Sequence, residues 1–484
     1  MPLVVIEAAP GSGKTTVAAQ RFGCLRYRIQ LTDGGSRDHR AVVAVSFTKS
    51  ATRELRVRTE STWGPSVLQW PHRISTIDAF VQTVVQDLLH SRVIKWPGGH
   101  TALTVHESWK ALVPHTQGYR TWVATYQDDG IAVARQSIDL RPVPSEADVN
   151  AQIANGHCTH DDIRSVLHTA LAKEQIRDHV GRRLSETIRC LIVDEVYDAN
   201  ELDLLLVELA AESGCEITII GDPWQALYGF RGASPEKVPG LSESLAMETL
   251  YLSKSFRFRS SEQQELARDL RTGVGVELRS GIAGTDCEIV IAPNWKNLWD
   301  IGRPEIVPLA WGAASDDISY GLATVLLDLS ARQLTGMGAV FKAEALLALG
   351  LTDAGVEAMQ PGFTKAMQGL ADSADAGDLF EVYDHLAEMF RCSESGNALP
   401  AEPDSVMLQR LWMIGERLRI GTTCVPGVTA HQAKGREWDR VGVCLGTTER
   451  RSLQRGLRPH QESHRVLYVA CTRARLGTVE IAIR

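Results

Sequence analysis

Short apolar runs alternate with amphipathic segments in two parts of the chain. The runs are rich in Val, Ile and Leu, and their length is typical of strands buried in a parallel sheet. The first part holds the runs at 3–6, 41–47, 188–195 and 216–222, and the second part holds the run at 287–293. Because apolar strands alternate with helical patterns, the chain is predicted to have an α/β fold with parallel sheets.

Two longer stretches have a mostly helical pattern and interrupt the sheet-forming parts. They lie at 91–184 and 316–420, and we expect them to be two mainly helical insertion domains. The sheet-forming parts that flank them are expected to form two domains, at 1–90 with 185–245 and at 246–315 with 421–484.

Composition narrows the class of protein. The chain has 484 residues, of which 44% are hydrophobic and 23% charged, and this balance is typical of a globular protein. No run approaches the ~18 apolar residues of a membrane span, and the first residues already form a strand pattern instead of a signal peptide. Nine Cys without a C-x-x-C pair favour a reducing compartment, so we expect a cytoplasmic protein without a membrane partner. A net charge of −8 neither attracts nor excludes nucleic acid.

The pattern "AAPGSGKTT" at 8–16 predicts a phosphate-binding loop, because an apolar run precedes it and a helical pattern follows. Lys14 is expected to reach the β- and γ-phosphates of ATP or GTP, and the Thr15 hydroxyl is expected to bind Mg²⁺. Ala8 stands where the strict pattern has Gly, so a Gly-rich turn without a ligand is the alternative. The residues expected at the nucleotide are Ala9, Pro10, Gly11, Ser12, Gly13, Lys14, Thr15 and Thr16.

A second acidic pattern follows the run at 188–193, where Asp194 and Glu195 end a predicted strand. A strand-end Asp in phosphate-loop enzymes holds the Mg²⁺ shell, and a neighbouring Glu can deprotonate the attacking water. The pair favours hydrolysis over phosphate transfer, although a solvated acidic strand end is the simpler alternative.

The stretch "NGHCTHDD" has the residue types of a metal site, but its spacing also fits a helix start. Thr159 followed three residues later by Asp162 is the pattern of a capping box, and we favour that interpretation.

The stretch "IIGDPWQALYGFRGA" at 219–233 resembles motif III of superfamily 1A helicases, the group of UvrD, Rep and PcrA. Other stretches are similar to the remaining motifs in the order of that family, across almost the whole chain. They are "AAPGSGKTT", "SFTKSATREL" (46–55), "STIDAF" (75–80), "DEVYD" (194–198), "LSKSFRFRSS" (252–261), "TAHQAKGREWD" (429–439) and "ESHRVLYVACTRAR" (462–475).

The resemblance implies two RecA-like domains that bind ATP and Mg²⁺ between them. Thr15 and Asp194 would hold the metal, and Glu195 would be the general base. Gln225 would sense the γ-phosphate, while Arg257 and Arg473 would act as arginine fingers. The matching positions for adenine and ribose are Phe256 and Glu437.

The resemblance also implies a track for single-stranded DNA. A motor that moves along a strand without reading its sequence needs aromatic faces for bases and donors for phosphates. The positions that match this track are Phe47, Thr48, Lys49, Phe80, Tyr228, Phe230, Arg231 and His431.

Several positions depart from the family pattern. Tyr197 stands where motif II usually has Gln, Asp78 where the DNA-contact motif "STIDAF" usually has His, and Lys49 where motif Ia usually has Asn. A carboxylate beside phosphates is repulsive unless it is paired, so Asp78 is expected to bind a hydroxyl or a base edge. The upstream Gln motif that reads adenine is missing, so relaxed nucleotide-base selectivity is expected.

The leading hypothesis is an ATP-dependent translocase or helicase that moves 3′ to 5′ on single-stranded or tailed DNA, in repair or antiviral defence. The alternative is a DNA-stimulated ATPase subunit with little unwinding of its own, as in Gabija-type antiphage systems, with a nuclease partner. A small-molecule kinase is a third hypothesis, which the two candidate arginine fingers disfavour.

Overall fold

The computed structural model describes residues 2–28, 38–109, 112–113, 121–137, 143–229, 232–315, 317–393 and 396–482. Its contacts divide the chain into two compact units, one ending at Phe256 and the other beginning at Arg257.

The first unit contains ten strands and eight helices among its described residues. The strands are β1 (Leu3–Ala8), β2 (Ala41–Ser46), β3 (Arg73–Thr76), β4 (Thr104–His106), β5 (Trp122–Gln127), β6 (Gly130–Arg135), β7 (His157–Thr159), β8 (Ile188–Asp194), β9 (Glu216–Gly221) and β10 (Glu248–Leu252). The helices are α1 (Lys14–Tyr27), α2 (Lys49–Trp63), α3 (Ile77–His90), α4 (Glu146–Ala154), α5 (His160–Ala170), α6 (Glu174–Thr187), α7 (Glu201–Glu212) and α8 (Lys237–Ser244).

Six strands of the first unit form one parallel sheet in the order β10-β1-β9-β8-β2-β3. Every residue of β2, β8 and β9 is buried, because helices cover both faces of a sheet of this kind. Parallel neighbours end at the same edge of the sheet, so the loops after β1, β8 and β9 lie close together. The first domain extends past the expected boundary at 245, because β10 pairs with β1.

The stretch between α3 and β8 is less helical than expected. It carries helices α4 to α6, but also a parallel pair of strands, β4 with β7, and an antiparallel pair, β5 with β6. The predicted capping box at the start of α5 is confirmed: Thr159 accepts from the backbone N–H of Asp162, whose carboxylate accepts from Thr159. No group of three or more metal-ligating side chains occurs in the described part of the chain.

The second unit has five strands and eleven helices in its described part. The strands are β11 (Ile289–Ala292), β12 (Ile306–Pro308), β13 (Val425–Thr429), β14 (Trp438–Cys444) and β15 (Ala474–Ile481). The helices are α9 (Ser261–Thr272), α10 (Trp295–Asp300), α11 (Ile318–Thr335), α12 (Lys342–Leu349), α13 (Asp353–Ala358), α14 (Gln360–Asp372), α15 (Ala376–Cys392), α16 (Ser405–Ile420), α17 (Ala430–Ala433), α18 (Thr447–Arg455) and α19 (Glu462–Cys471).

The five strands of the second unit also form a parallel sheet, in the order β12-β13-β11-β14-β15. The chain between β12 and β13 forms helices α11 to α16, and its described residues contain no strand. The predicted α/β class with parallel sheets is therefore confirmed. None of the helices in the described ranges has the length and apolar character needed to cross a membrane.

A buried histidine holds β2 in place. The Nδ1 atom of His72 accepts a hydrogen bond of 3.0 Å from the backbone N–H of Val42, and the side chain is buried. Burial, followed by the charges of Arg26 and Arg189, lowers the pKa of His72 to about 4. His72 is therefore neutral in the folded protein at mildly acidic pH.

This histidine predicts a pH dependence of stability. Since an unfolded His titrates near ~6.5, the unfolded chain binds one more proton than the folded chain between about pH 6.5 and pH 4. The free energy of unfolding should fall as the pH falls through this window. In His72→Gln, the free energy of unfolding should fall less steeply with pH than in the unchanged protein. Urea denaturation at several pH values measures both slopes. Equal slopes for the variant and the unchanged protein would contradict this assignment.

Candidate active site

The loop after β1 has the geometry of an anion-binding site. Gly11 and Gly13 have φ angles of 70° and 86°, a region that residues with a Cβ rarely adopt. Helix α1 begins directly after Gly13 without a side-chain cap and without an acidic residue in its first turn. The Oγ atom of Ser12 is buried and has no hydrogen-bond partner among the described residues. An oxyanion at this helix start would meet unpaired polar groups and the positive end of the helix dipole.

The first residue of α1 meets the end of β8. The Nζ atom of Lys14 lies 3.7 Å from Oε1 of Glu195, and both side chains keep some exposure, 10% and 21%. Asp194 is buried, and its Oδ1 accepts a hydrogen bond of 3.1 Å from the backbone N–H of Glu195. The structure therefore brings together the lysine and the two carboxylates that the sequence placed in one site.

Glu195 has an unusual backbone. Its φ of 60° and ψ of 41° place it in the left-handed region, which costs a residue other than glycine about 1–2 kcal/mol. Strain of this kind persists where a side chain is needed at a defined position.

The end of β9 contributes a third polar group. Gln225 is buried, and its Nε2 donates a hydrogen bond of 2.7 Å to Oδ2 of Asp222. Asp222 also accepts from the backbone N–H of Trp224, so its carboxylate has a fixed orientation. Asp222 orients the amide of Gln225, a role that the sequence pattern did not assign to it.

The segment after β10 forms another wall of the loop. The backbone N–H of Ala9 donates to the carbonyl of Leu252, and the Ser255 hydroxyl donates to the carbonyl of Pro10 at 2.8 Å. The backbone N–H of Phe256 donates to the carbonyl of Gly11, also at 2.8 Å. These bonds fix Phe256 beside the loop while its ring stays 71% exposed.

The two threonines after Lys14 differ in their surroundings. Thr15 is half-buried at the start of α1. The Oγ1 atom of Thr16 accepts a hydrogen bond of 2.8 Å from Arg58 of α2, which also pairs with Glu54. Arg58 is a cation near the loop that no sequence motif indicated.

In the second unit, Arg257 and Glu437 form an ion pair. The Nε atom of Arg257 lies 3.0 Å from Oε2 of Glu437, and its Nη1 donates to the carbonyl of Thr472. Arg475 pairs with the other oxygen of Glu437 at 3.2 Å. Burial favours the neutral form of Glu437, but the two arginines outweigh it and hold the pKa of this carboxyl below its usual range.

Arg473 belongs to the second unit and is buried. It is 1% exposed, its Nε donates to the carbonyl of Val469, and its Nη2 donates to the Thr472 hydroxyl. In this conformation the guanidinium is held by α19 and the residue that follows it.

Two of the expected DNA-contacting aromatics line one groove of the first unit. Phe47 and Tyr228 are half-buried on its wall, and the groove has a volume of about 1010 Å³. Beside it, Thr48 caps α2 by accepting from the backbone N–H of Ala51, and Lys49 pairs with Glu107 at 2.6 Å.

Phe80 requires a correction. The resemblance implied a DNA contact, but the Phe80 side chain is 2% exposed and lies in the hydrophobic core of the first unit. Phe80 lies on the side of α3 that faces the core. Its place in a motif therefore did not show whether it contacts DNA or packs in the core. His431 is half-buried in α17 of the second unit. Phe230 and Arg231 lie outside the described residues.

Tyr197, which departs from the family pattern, is a buried residue. Its hydroxyl donates a hydrogen bond of 3.2 Å to Oε1 of Glu7 on β1, and its ring lies against Gly221 at the end of β9. The tyrosine thus connects the segment after β8 with the ends of strands β1 and β9.

Comparisons with known proteins agree with this arrangement. Residues 1–231 match a family model described as an AAA domain. The chain is 25% identical over 279 residues to the ATP-dependent DNA helicase Rep of Escherichia coli K12, covering 53% of this chain and 39% of that protein. It is 24% identical over 280 residues to DNA helicase II of the same organism, covering 53% and 37%. It is 23% identical over 295 residues to the ATP-dependent DNA helicase srs2 of Schizosaccharomyces pombe, covering 52% and 31%.

The chain thus spans well under half the length of these relatives. The AAA match and the helicase relatives support the assignment to superfamily 1 that the motifs predict. The narrower resemblance to a Gabija-type subunit stays a prediction.

The backbone of Glu195 generates a prediction about stability. Since a left-handed conformation suits glycine, Glu195→Gly should be more stable than Glu195→Ala by about 1 kcal/mol, the reverse of the order in an ordinary position. Equilibrium denaturation of the two variants measures this difference. Greater stability of the alanine variant would contradict the strained geometry.

Proposed function

We propose that this protein is an ATP-driven motor that moves 3′ to 5′ along single-stranded DNA and displaces a paired strand ahead of it. The observation that carries the proposal is the contact of 3.7 Å between Lys14 and Glu195 at the anion-binding loop. A hydrolytic site of this kind, in a chain similar to DNA helicases, supports ATP turnover coupled to DNA.

The loop fits a nucleotide triphosphate. The uncapped start of α1, the unpartnered Ser12 hydroxyl and the Lys14 ammonium all suit phosphate oxygens. Thr15 and Asp194 would hold Mg²⁺, which would offset the negative charge of the phosphates. The exposed ring of Phe256, fixed by its backbone bond to Gly11, suits stacking on a base.

Glu195 is proposed as the general base. When a γ-phosphate takes Lys14 as its partner, the carboxylate of Glu195 loses its nearby cation and can accept the proton of a water molecule. Gln225, oriented by Asp222, would hold that water or the γ-phosphate. Arg257 and Arg473 are the proposed cations that stabilise the charge of the transferring phosphoryl group.

The groove that contains Phe47 and Tyr228 is the proposed path of the strand through the first unit. Two aromatic rings among the lining residues suit bases without regard to sequence, at about 1–3 kcal/mol per stacked base. His431 and Lys49 are proposed as further contacts. Phe80 is left out of this set because it is buried.

Strand displacement tests the proposal. Purified protein with ATP and Mg²⁺ should separate a duplex that has a 3′ single-stranded tail, but not one that has a 5′ tail. Glu195→Gln is the matched control, because it keeps the shape of the side chain and should bind ATP without turning it over. ATP turnover without displacement would favour the regulatory-subunit hypothesis instead, and displacement from the 5′ tail would overturn the direction.

The role of Arg473 generates a separate prediction. Arg473→Ala should lower ATP turnover by about 10³-fold or more, since fingers of this kind contribute that much, with little loss of DNA affinity. Steady-state turnover and DNA-binding titrations measure the two effects. Normal turnover in this variant would remove Arg473 from the reaction.

A further inference from the structure

The groove proposed for the strand has an unexpected charge. Its wall carries six carboxylates, whereas Arg164 is the only lysine or arginine among the described residues that line it. A wall of this composition repels phosphates unless its carboxylates are paired. The six are Asp78, Glu107, Asp161, Asp198, Glu201 and Asp203.

Arg164 connects three helices across this groove. It lies on α5, and its Nη1 donates a hydrogen bond of 2.7 Å to Oδ1 of Asp78 on α3. Its Nη2 donates a hydrogen bond of 2.5 Å to Oδ1 of Asp203 on α7. One guanidinium therefore faces two carboxyl groups.

The guanidinium keeps its charge in this position. Burial lowers the pKa of Arg164, but the carboxylates of Asp203 and Asp78 more than compensate, so the pKa lies above its ordinary value. An arginine that is always protonated, with its planar donors facing a groove, is suited to a phosphate.

The two carboxylate partners are not equivalent. The Asp203 side chain is 4% exposed, and its other oxygen accepts from the backbone N–H of Asn200 in a capping box at the start of α7. The Asp78 side chain is 41% exposed and lies in the first turn of α3. A phosphate that enters from solvent can therefore replace Asp78 but cannot replace Asp203.

We propose that Arg164 binds a backbone phosphate of single-stranded DNA, and that Asp78 occupies the guanidinium in its place when no strand is bound. Asp78 is in this sense a built-in competitor that weakens binding of the strand. The inference rests on the proposed function, because it assigns regulation to the same groove.

A second cation is paired with a carboxylate at the groove, but this pair is more exposed to solvent. Lys49 pairs with Glu107, which also lines the groove, but their side chains are 86% and 76% exposed. Since exposed pairs contribute little, the competition at Lys49 should be smaller than at Arg164.

The test is the affinity for a fluorescent oligothymidylate of about 20 nucleotides, a length that exceeds a typical single-strand site. At about 50 mM salt, Asp78→Asn should bind about 5- to 20-fold more tightly than the unchanged protein, because one repulsive carboxylate is removed. The slope of the logarithm of the association constant against the logarithm of the salt concentration should become more negative by about one. The reason is that one more cation is available to the strand. Glu107→Gln should increase the affinity for the oligonucleotide by a smaller factor than Asp78→Asn does.

Two controls separate this effect from others. Asp353→Asn removes the same charge from an exposed partner of Lys342, 2.6 Å from its Nζ in the second unit, and should leave the affinity unchanged. If Asp353→Asn increased the DNA affinity as much as Asp78→Asn, the cause would be the net charge of the protein, and the inference would be overturned. Thermal unfolding of Asp78→Asn gives the second control. Lower stability with DNA affinity within about twofold of the unchanged protein would mean a purely structural bridge, and would also overturn the inference.

Failure of the proposed function has a different signature. In that case neither the unchanged protein nor Asp78→Asn would bind the oligonucleotide, and neither would change its ATP turnover when the oligonucleotide is added. Binding by Asp78→Asn alone would support the inference most strongly.

Discussion

The parallel order of β1, β9 and β8 is the constraint on which the rest of the site depends. Neighbouring parallel strands end at one edge of their sheet, so segments far apart in the chain deliver Lys14, Asp194 and Gln225 to the same place. An antiparallel strand at any of these positions would send its polar residue to the opposite edge. Complete burial of β8 and β9 keeps both strands inside the sheet, because a position at the edge would expose their apolar side chains.

The same electrostatic arrangement occurs twice in the first unit. At the loop, Lys14 lies beside Glu195, and in the groove, Arg164 lies between Asp78 and Asp203. In each case a cation that suits a phosphate is paired with a carboxylate of this chain. Since a partly buried charge without a partner is unfavourable, the pairs stabilise the free protein. Under the proposed function, a phosphate replaces a carboxylate at each place, which couples its binding to a change in the charge around the site.

The parts of the site that depend on adjacent residues in the chain could be predicted from the sequence. The loop at 8–16 and the carboxylates of Asp194 and Glu195 each have a strand before them, and their chemistry follows from a few adjacent residues. The α/β class followed from the apolar runs for the same reason. The capping box at Thr159 was equally local, because it needs only two residues three positions apart.

The partners that orient these residues could not be found in this way. Ser255 reaches Pro10, Arg58 reaches Thr16, and Arg164 reaches Asp78 only through the tertiary fold. No spacing in the sequence indicates such pairs, since each lies on a separate element. The error at Phe80 has a related cause: one side of α3 carries both motif residues and core residues, and the pattern does not distinguish them.

The proposed motor couples ATP turnover by this chain to a single nucleic-acid strand. The most direct measurement is the rate of ATP hydrolysis by the purified protein alone, with single-stranded DNA, with duplex DNA and with single-stranded RNA. We expect a slow basal rate that single-stranded DNA raises at least about tenfold, and that blunt duplex DNA does not raise. A rate that no nucleic acid changes would contradict the proposed function.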